Sequence, residues 1–180
     1  MLLYSSSEHI KAHRTTEIYY TDGSKNTDGT AYAYHHRTHN QKTRISNYAS
    51  IYTAELLAIK DVITKATITN TNKALILTDS LSAIDGINKM LNKHPIITQI
   101  LDLIQQSSIE LTICWVPSHS GIQGNEIADK LAKEAITIET ITNISLPQND
   151  IKAAFKTKVR NQWQTEWTNT NQNTTKLRSI

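Results

Sequence analysis

Four carboxylates and one histidine stand at positions from which chemistry could be built. Asp22 closes the run Glu17-Ile18-Tyr19-Tyr20-Thr21 and is followed by Gly23-Ser24, while Asp79 closes Ala74-Leu75-Ile76-Leu77-Thr78 and is followed by Ser80. An aromatic and branched run ending in an acid and a small residue reads as a strand that delivers the acid to the end of a sheet. Glu55 stands near the start of a helical pattern over Thr53 to Ala66, and Asp129 on a helix that follows a loop carrying His119. Each has an ordinary account when taken singly. Asp-Gly is turn chemistry, Glu55 in a first helical turn complements the helix dipole, and Asp79 lies beside the positive end of a helix that Ser80 caps. A second Asp-Gly, Asp28-Gly29, is the better hairpin turn, which leaves Asp22 without that role. Taken together, two acids at strand ends and two on neighbouring helices converge where open α/β sheets place their sites. Four carboxylates in one place repel unless cations neutralise them. Oxygen-only donors point to Mg²⁺ or Mn²⁺, and two such ions about 4 Å apart form the clamp used for in-line phosphoryl displacement.

The elements that must position these groups follow from periodicity. The first strand and Thr30 to His36 form a meander through the Asp28-Gly29 turn. After polar residues 37–42, Thr43 to Tyr48 is expected as a third antiparallel strand. His35 and His36 are strand neighbours that point to opposite faces, so that pair, with His39 nearby, does not read as a metal cluster. In the first helix Leu56, Ile59, Ile63 and Ala66 form one stripe with Ala54, Leu57, Ala58 and Val62 alongside, so the helix is largely buried. The near-continuous apolar run Ala74 to Leu77 suits a strand parallel to the first. Two short helices follow, with Leu81, Ile84, Ile87 and Leu91 inward in one and Ile97, Ile100, Leu101 and Ile104 in the other, which Pro95 starts. Ile109, Leu111, Ile113 and Trp115 alternate as a fifth strand. Asn125 is a plausible cap for the next helix, in which Ile127, Leu131 and Ala135 form the inward stripe and Asp129 lies one turn in. Ile151, Phe155, Val159, Trp163 and Trp167 then recur every four residues among Lys152, Lys156, Lys158 and Arg160, an amphipathic basic helix.

The organisation expected is a loose leader over 1–16, a domain over 17–137, a linker over 138–150, the basic helix over 151–167 and an unstructured tail over 168–180. A chain of 180 residues with net charge +3 is long enough to bury a sizeable core and basic enough to be compatible with nucleic acid. Its single cysteine, Cys114, excludes a disulfide framework and a thiolate zinc site. No apolar run approaches a membrane span, and an intracellular, non-secreted, monomeric protein is expected.

Thr21-Asp22-Gly23-Ser24, Thr53-Ala54-Glu55-Leu56, Thr78-Asp79-Ser80 and the stretch from Trp115 to Asp129 closely resemble the ribonuclease H family, in the family's order. The Ala-Glu-Leu-Leu-Ala-Ile segment and the Trp-Val-Pro-Ser-His loop look most like the ribonuclease H domain of non-LTR retrotransposon polyproteins. The resemblance implies a ribonuclease H-like α/β fold, with a five-stranded mixed sheet of three antiparallel and then two parallel strands flanked by helices. It also implies cleavage of the RNA strand of an RNA–DNA hybrid with two Mg²⁺ ions, for which Mn²⁺ can substitute. Asp22 would bridge both ions, Glu55, Asp79 and Asp129 would complete them, and His119 would move protons or help product leave. Gly23, Ser24, Ser80 and Asn125 would contact substrate, and a reverse transcriptase domain of the same polyprotein would be a partner.

Two departures from the family pattern bear on substrate grip. Ser50-Ile51-Tyr52 replaces the polar residues that read the hybrid in cellular members, and the stretch between Leu91 and Ile109 is too short for a basic substrate-gripping helix. A transposase or resolvase would also carry acids at strand ends, but the His119 loop and the third aspartate on the last helix favour ribonuclease H. The intact acid set argues against a catalytically dead binding module.

Overall fold

The computed structural model describes residues 16–69, 71–89 and 94–177. The expected leader lies almost wholly outside the described residues, as does Leu91. The chain forms β1 (Glu17–Lys25), β2 (Thr30–His36), β3 (His39–Ile45), α1 (Ile51–Ile68), β4 (Lys73–Thr78), α2 (Leu81–Asn88), α3 (Pro95–Gln106), β5 (Glu110–Trp115), α4 (Gln123–Ala135) and α5 (Gln148–Leu177). The sheet order is β3-β2-β1-β4-β5, with antiparallel β3-β2-β1 pairing and parallel β1-β4-β5 pairing. This is the five-stranded mixed α/β sheet expected from the sequence.

Strand alternation sorts the side chains into two layers. Tyr19, Tyr32, Tyr34, Ala74, Ile76 and Ile113 pack with the buried faces of α1, α2 and α3 in the main core. On the other face Leu75, Leu77, Cys114 and Val116 gather Ile18 and Tyr20, and Ala31 meets Ala135 and Ile136. The Tyr32 hydroxyl donates to Asp61 Oδ2 at 2.7 Å, tying α1 to β2.

Three expectations are corrected. The third strand is His39–Ile45, not Thr43 to Tyr48. It starts straight after a two-residue turn and pairs in full with β2, so residues 39–42 are strand despite their polarity. An edge strand with an exposed outer half needs no apolar alternation there. The inward surface of α4 is Gly124, Asn125, Ala128, Ala132 and Ala135, while Ile127 and Leu131 are only half-buried. Small residues let this helix lie close to the sheet, and Gly124 sits against the Tyr20 ring so tightly that a Cβ would fall 2.2 Å from Cε2.

The third correction concerns the C-terminal segment. The linker is fastened: Thr142 N–H donates to Arg44 O at 2.8 Å, and Ile144 and Leu146 pack against the main core. A separate unit begins at Gln148, and its helix continues from there into the expected unstructured tail as far as Leu177. No Gly or Pro interrupts that stretch, and threonines 165, 168 and 170 return their hydroxyls to carbonyls one turn back. Phe155, Trp163 and Trp167 are exposed on it.

Candidate active site

Asp22 does not end its strand. The ladder to β4 stops at Thr21↔Thr78, whereas the ladder to β2 continues through Asp22↔Ala33 as far as Lys25↔Thr30. Asp22 therefore sits in mid-strand at the level where β1 loses its parallel neighbour, and it is 7% exposed. Alternation puts it on the Tyr20 side, toward α4, and puts Gly23 on the α1 side. A Cβ at Gly23 would stand 2.9 Å from Glu55 Cγ and 3.0 Å from the Glu55 backbone nitrogen, so glycine is what lets α1 bring Glu55 to the strand. Ser24, the next residue, is half-buried and pairs with Ala31.

Glu55 lies one turn further into its helix than expected. Ser50 is the N-cap, accepting from Thr53 N–H at 3.1 Å, so α1 starts at Ile51 and Glu55 belongs to its second turn. A dipole role weakens there, because the effect fades beyond the first turn. The Glu55 carboxylate accepts a hydrogen bond from Ser80 Oγ, and that same oxygen caps α2 by accepting from Ala83 N–H at 3.2 Å. Ser80 is thus both the expected cap and a side chain of the acid cluster.

Asp79 follows the last residue of β4 and is fixed twice. Ser118 Oγ donates to its Oδ2 at 2.6 Å, and Trp115 Nε1 donates to its carbonyl at 3.2 Å. Asp129 accepts from Lys133 Nζ at 2.7 Å, one turn further along α4. That contact, above all, raises the Lys133 pKa. Asn125 is not the helix cap: α4 begins at Gln123, and Asn125 lies inside it, 3% exposed, with its Oδ1 buried and unpartnered. The earlier start also puts Asp129 nearly two turns into the helix.

His119 occupies the left-handed region at φ 51° with its side chain 73% exposed. Its Nδ1 lies 4.0 Å from Glu126 Oε2, and His119, Glu126 and Asp129 can bring one ligand atom each to within 4.8 Å of one another. Glu126 is absent from the sequence-derived site residues. An acid in the first turn of a helix reads as a dipole partner, and only the loop conformation reveals His119 beside it.

The electrostatics bind the four acids into one site. Desolvation pushes the Asp22 carboxyl up to about 8, with the negative charges of Asp79, Asp129 and Glu55 adding to it and the Gly23 amide partly offsetting them. Burial likewise raises Glu55, with Ser80 opposing and Asp79 reinforcing the shift. A buried carboxylate surrounded by three others is deficient in positive charge, and all-oxygen donors of this kind fit Mg²⁺ or Mn²⁺. Asp79, Asp129 and Glu55 thus all lie within electrostatic reach of Asp22. The family model for RNase H matches residues 13–137, more than half of the chain.

The chain belongs to the RNase H family. The matched span holds all four acids and His119, and it ends just past α4. As an RNase H domain the chain is a nuclease whose family acts on RNA–DNA hybrids and generally uses divalent metal ions. Helix α5 lies outside the match. Among the described residues no helix is long and apolar enough to cross a membrane.

Proposed function

We propose that the chain is an endoribonuclease that cuts the RNA strand of RNA–DNA hybrids by Mg²⁺-assisted hydrolysis, leaving a 3′-hydroxyl and a 5′-phosphate, in the service of retrotransposon reverse transcription. The observation that carries the reading is Asp22, buried where β1 loses its parallel neighbour and lying within electrostatic reach of Asp79, Asp129 and Glu55. Two Mg²⁺ ions, when bound, would supply an activated water and stabilisation of the leaving oxygen. Asp22, central to the cluster, would contact both. The chain's remaining task is orientation: Ser80 holds Glu55, Ser118 holds Asp79, and Lys133 holds Asp129. His119, on its exposed loop, would move a proton near Asp129.

The test offers strand-labelled hybrid, duplex RNA and duplex DNA to the protein with Mg²⁺, with Mn²⁺ and with chelator. Cleavage that favours the RNA strand of the hybrid, spares duplex DNA and is lost with chelator is expected, whereas metal-independent cleavage or equal cutting of duplex DNA would overturn the proposal. Ile51 is exposed and Tyr52 half-buried in the first turn of α1, where polar readers would favour the hybrid, so some duplex RNA should also be cut. The retrotransposon role rests on the resemblance of the Glu55 and His119 segments. A flanking reading frame without a reverse transcriptase would count against it.

His119→Ala should slow turnover without abolishing it, since general acid–base help is worth about 10²- to 10⁴-fold and the carboxylates remain. Single-turnover rates with Mg²⁺ titrations of both variants check the assignment. If His119→Ala weakens Mg²⁺ binding as severely as Asp129→Asn, His119 is a ligand, a role its proximity to Glu126 and Asp129 makes concrete.

A further inference from the structure

Far from the carboxylates, the start of β1 and the β2–β3 turn gather a second set of donors. Asp22 lies five steps along the strand from Glu17, roughly 17 Å at the usual rise. His36 and His39 face each other across the two-residue turn, as partners in the β2–β3 ladder. Their Nδ1 atoms are 3.1 Å apart, and Thr38 Oγ1 lies 2.9 Å from the first and 3.1 Å from the second. His36 is 6% exposed and stacks on Tyr19 at 4.6 Å between ring centroids, which fixes its plane. Its Nε2 lies 2.7 Å from Glu17 Oε2, and Glu17 is in turn held by Arg37 at 2.8 Å.

The carboxylate makes Nε2 of His36 the protonated nitrogen and leaves the Nδ1 lone pair facing His39 and Thr38. A carboxylate that holds the far nitrogen of an imidazole is the usual outer support of a metal-ligating histidine. The spacing fits as well. Nitrogen ligands bound at about 2.0 to 2.1 Å in tetrahedral geometry lie about 3.3 Å from one another, close to the triangle of donors here. Thr38 and Arg37 are exposed, so the open side of the triangle faces solvent and could complete the shell with water.

We propose that His36 Nδ1 and His39 Nδ1, with Thr38 Oγ1 and with Glu17 orienting His36, form a site for a divalent transition-metal ion such as Zn²⁺ or Ni²⁺. Imidazole donors favour these ions over Mg²⁺, which separates the site in chemistry as well as in space from the carboxylate cluster. It would clasp the β2–β3 turn to the start of β1.

The probe is Ni²⁺, titrated by calorimetry into the full chain in excess Mg²⁺, with backbone amide NMR spectra recorded alongside. One equivalent should bind, and its paramagnetism should broaden the amides of residues 36–39 while sparing those of 119–129. Glu17→Gln should weaken binding about 10- to 100-fold. His39→Gln should remove it and leave hybrid cleavage in Mg²⁺ unchanged, while His119→Ala should leave Ni²⁺ binding intact. No Ni²⁺ uptake by the wild-type chain, broadening confined to residues 119–129, or undiminished affinity in Glu17→Gln would overturn the proposal. The wild-type broadening pattern decides the matter even if His39→Gln fails to fold.

Discussion

Asp22→Asn should lower hybrid cleavage by about 10⁴-fold or more while the metal-free protein becomes more stable. The activity falls because the substitution removes the central charge that would hold both ions, and residues acting as one unit fail together. Stability rises for the reason that makes the site attractive to cations: Asp22 is desolvated and faces three like charges. Its folded pKa, about 8, lies far above the ordinary 3.8. Below the ordinary value the group is neutral in both states and costs nothing. As pH rises toward 8 the unfolded chain ionises first and releases protons that the folded chain retains, so metal-free stability declines across that window and then levels off. The asparagine variant should lack this contribution. Melting temperatures in chelator at about pH 5 and pH 9 measure it, alongside cleavage rates in Mg²⁺. Wild-type turnover by the variant, or an unchanged pH slope, would remove Asp22 from the centre of the site.

The largest effect on the fold should come from Gly124→Val. The glycine admits the Tyr20 ring between α4 and β1, and even a single Cβ would meet three ring carbons at 2.2 to 2.5 Å. Valine adds two methyl groups and recovers little of the helix propensity that glycine forgoes. Overpacking of this kind costs about 3 kcal/mol, which in a domain of this size lowers the melting temperature by about 6 to 12 °C. Asp129 rides on the same helix, so its approach to Asp22 should loosen as well. Thermal unfolding followed by circular dichroism checks the size of the effect. A melting temperature within two degrees of wild type would mean that Tyr20 has another place to go, and the close packing of α4 would then not be what positions Asp129.

Asp22 and Asp79 were legible because each is announced locally, whereas Glu55 and Asp129 stood out only in company with them. An apolar run, a threonine, an aspartate and a small residue recur at Asp22 and Asp79, and a strand pattern needs only a few neighbours to be read. What could not be read is one-sided pairing. That β1 outlives its contact with β4 and carries Asp22 in mid-strand depends on where a neighbour stops, 57 residues later in the chain. The same holds for β3, whose polar outer half is strand because β2 pairs with it. In α4 the larger residues Ile127 and Leu131 drew attention, but closeness to the sheet selects Gly124, Ala128 and Ala132 for the buried face. Ser118 and Glu126 escaped notice because a serine in a loop and an acid at a helix start have ordinary explanations, and only the loop's path brings them to Asp79 and His119.

The sheet order also implies a sequence of events in folding. Strands β1, β2 and β3 are joined by turns of four and two residues and can meet by local closure, whereas β4 must wait for α1 to cross over, and α4 follows all five strands in chain order. Contacts between distant parts of the chain form late because their loop entropy must be met first. Asp22 can therefore settle into its strand with no other acid nearby, and Asp79, Glu55 and Asp129 close around it only as the crossover and the final helix arrive. On this order the repulsion is absent from the early nucleus and concentrated near the native state, where it speeds opening far more than it slows closure. A divalent ion joining the acids would then act as a brake on unfolding, and the lifetime of the folded domain would be tied to occupancy of the proposed catalytic centre.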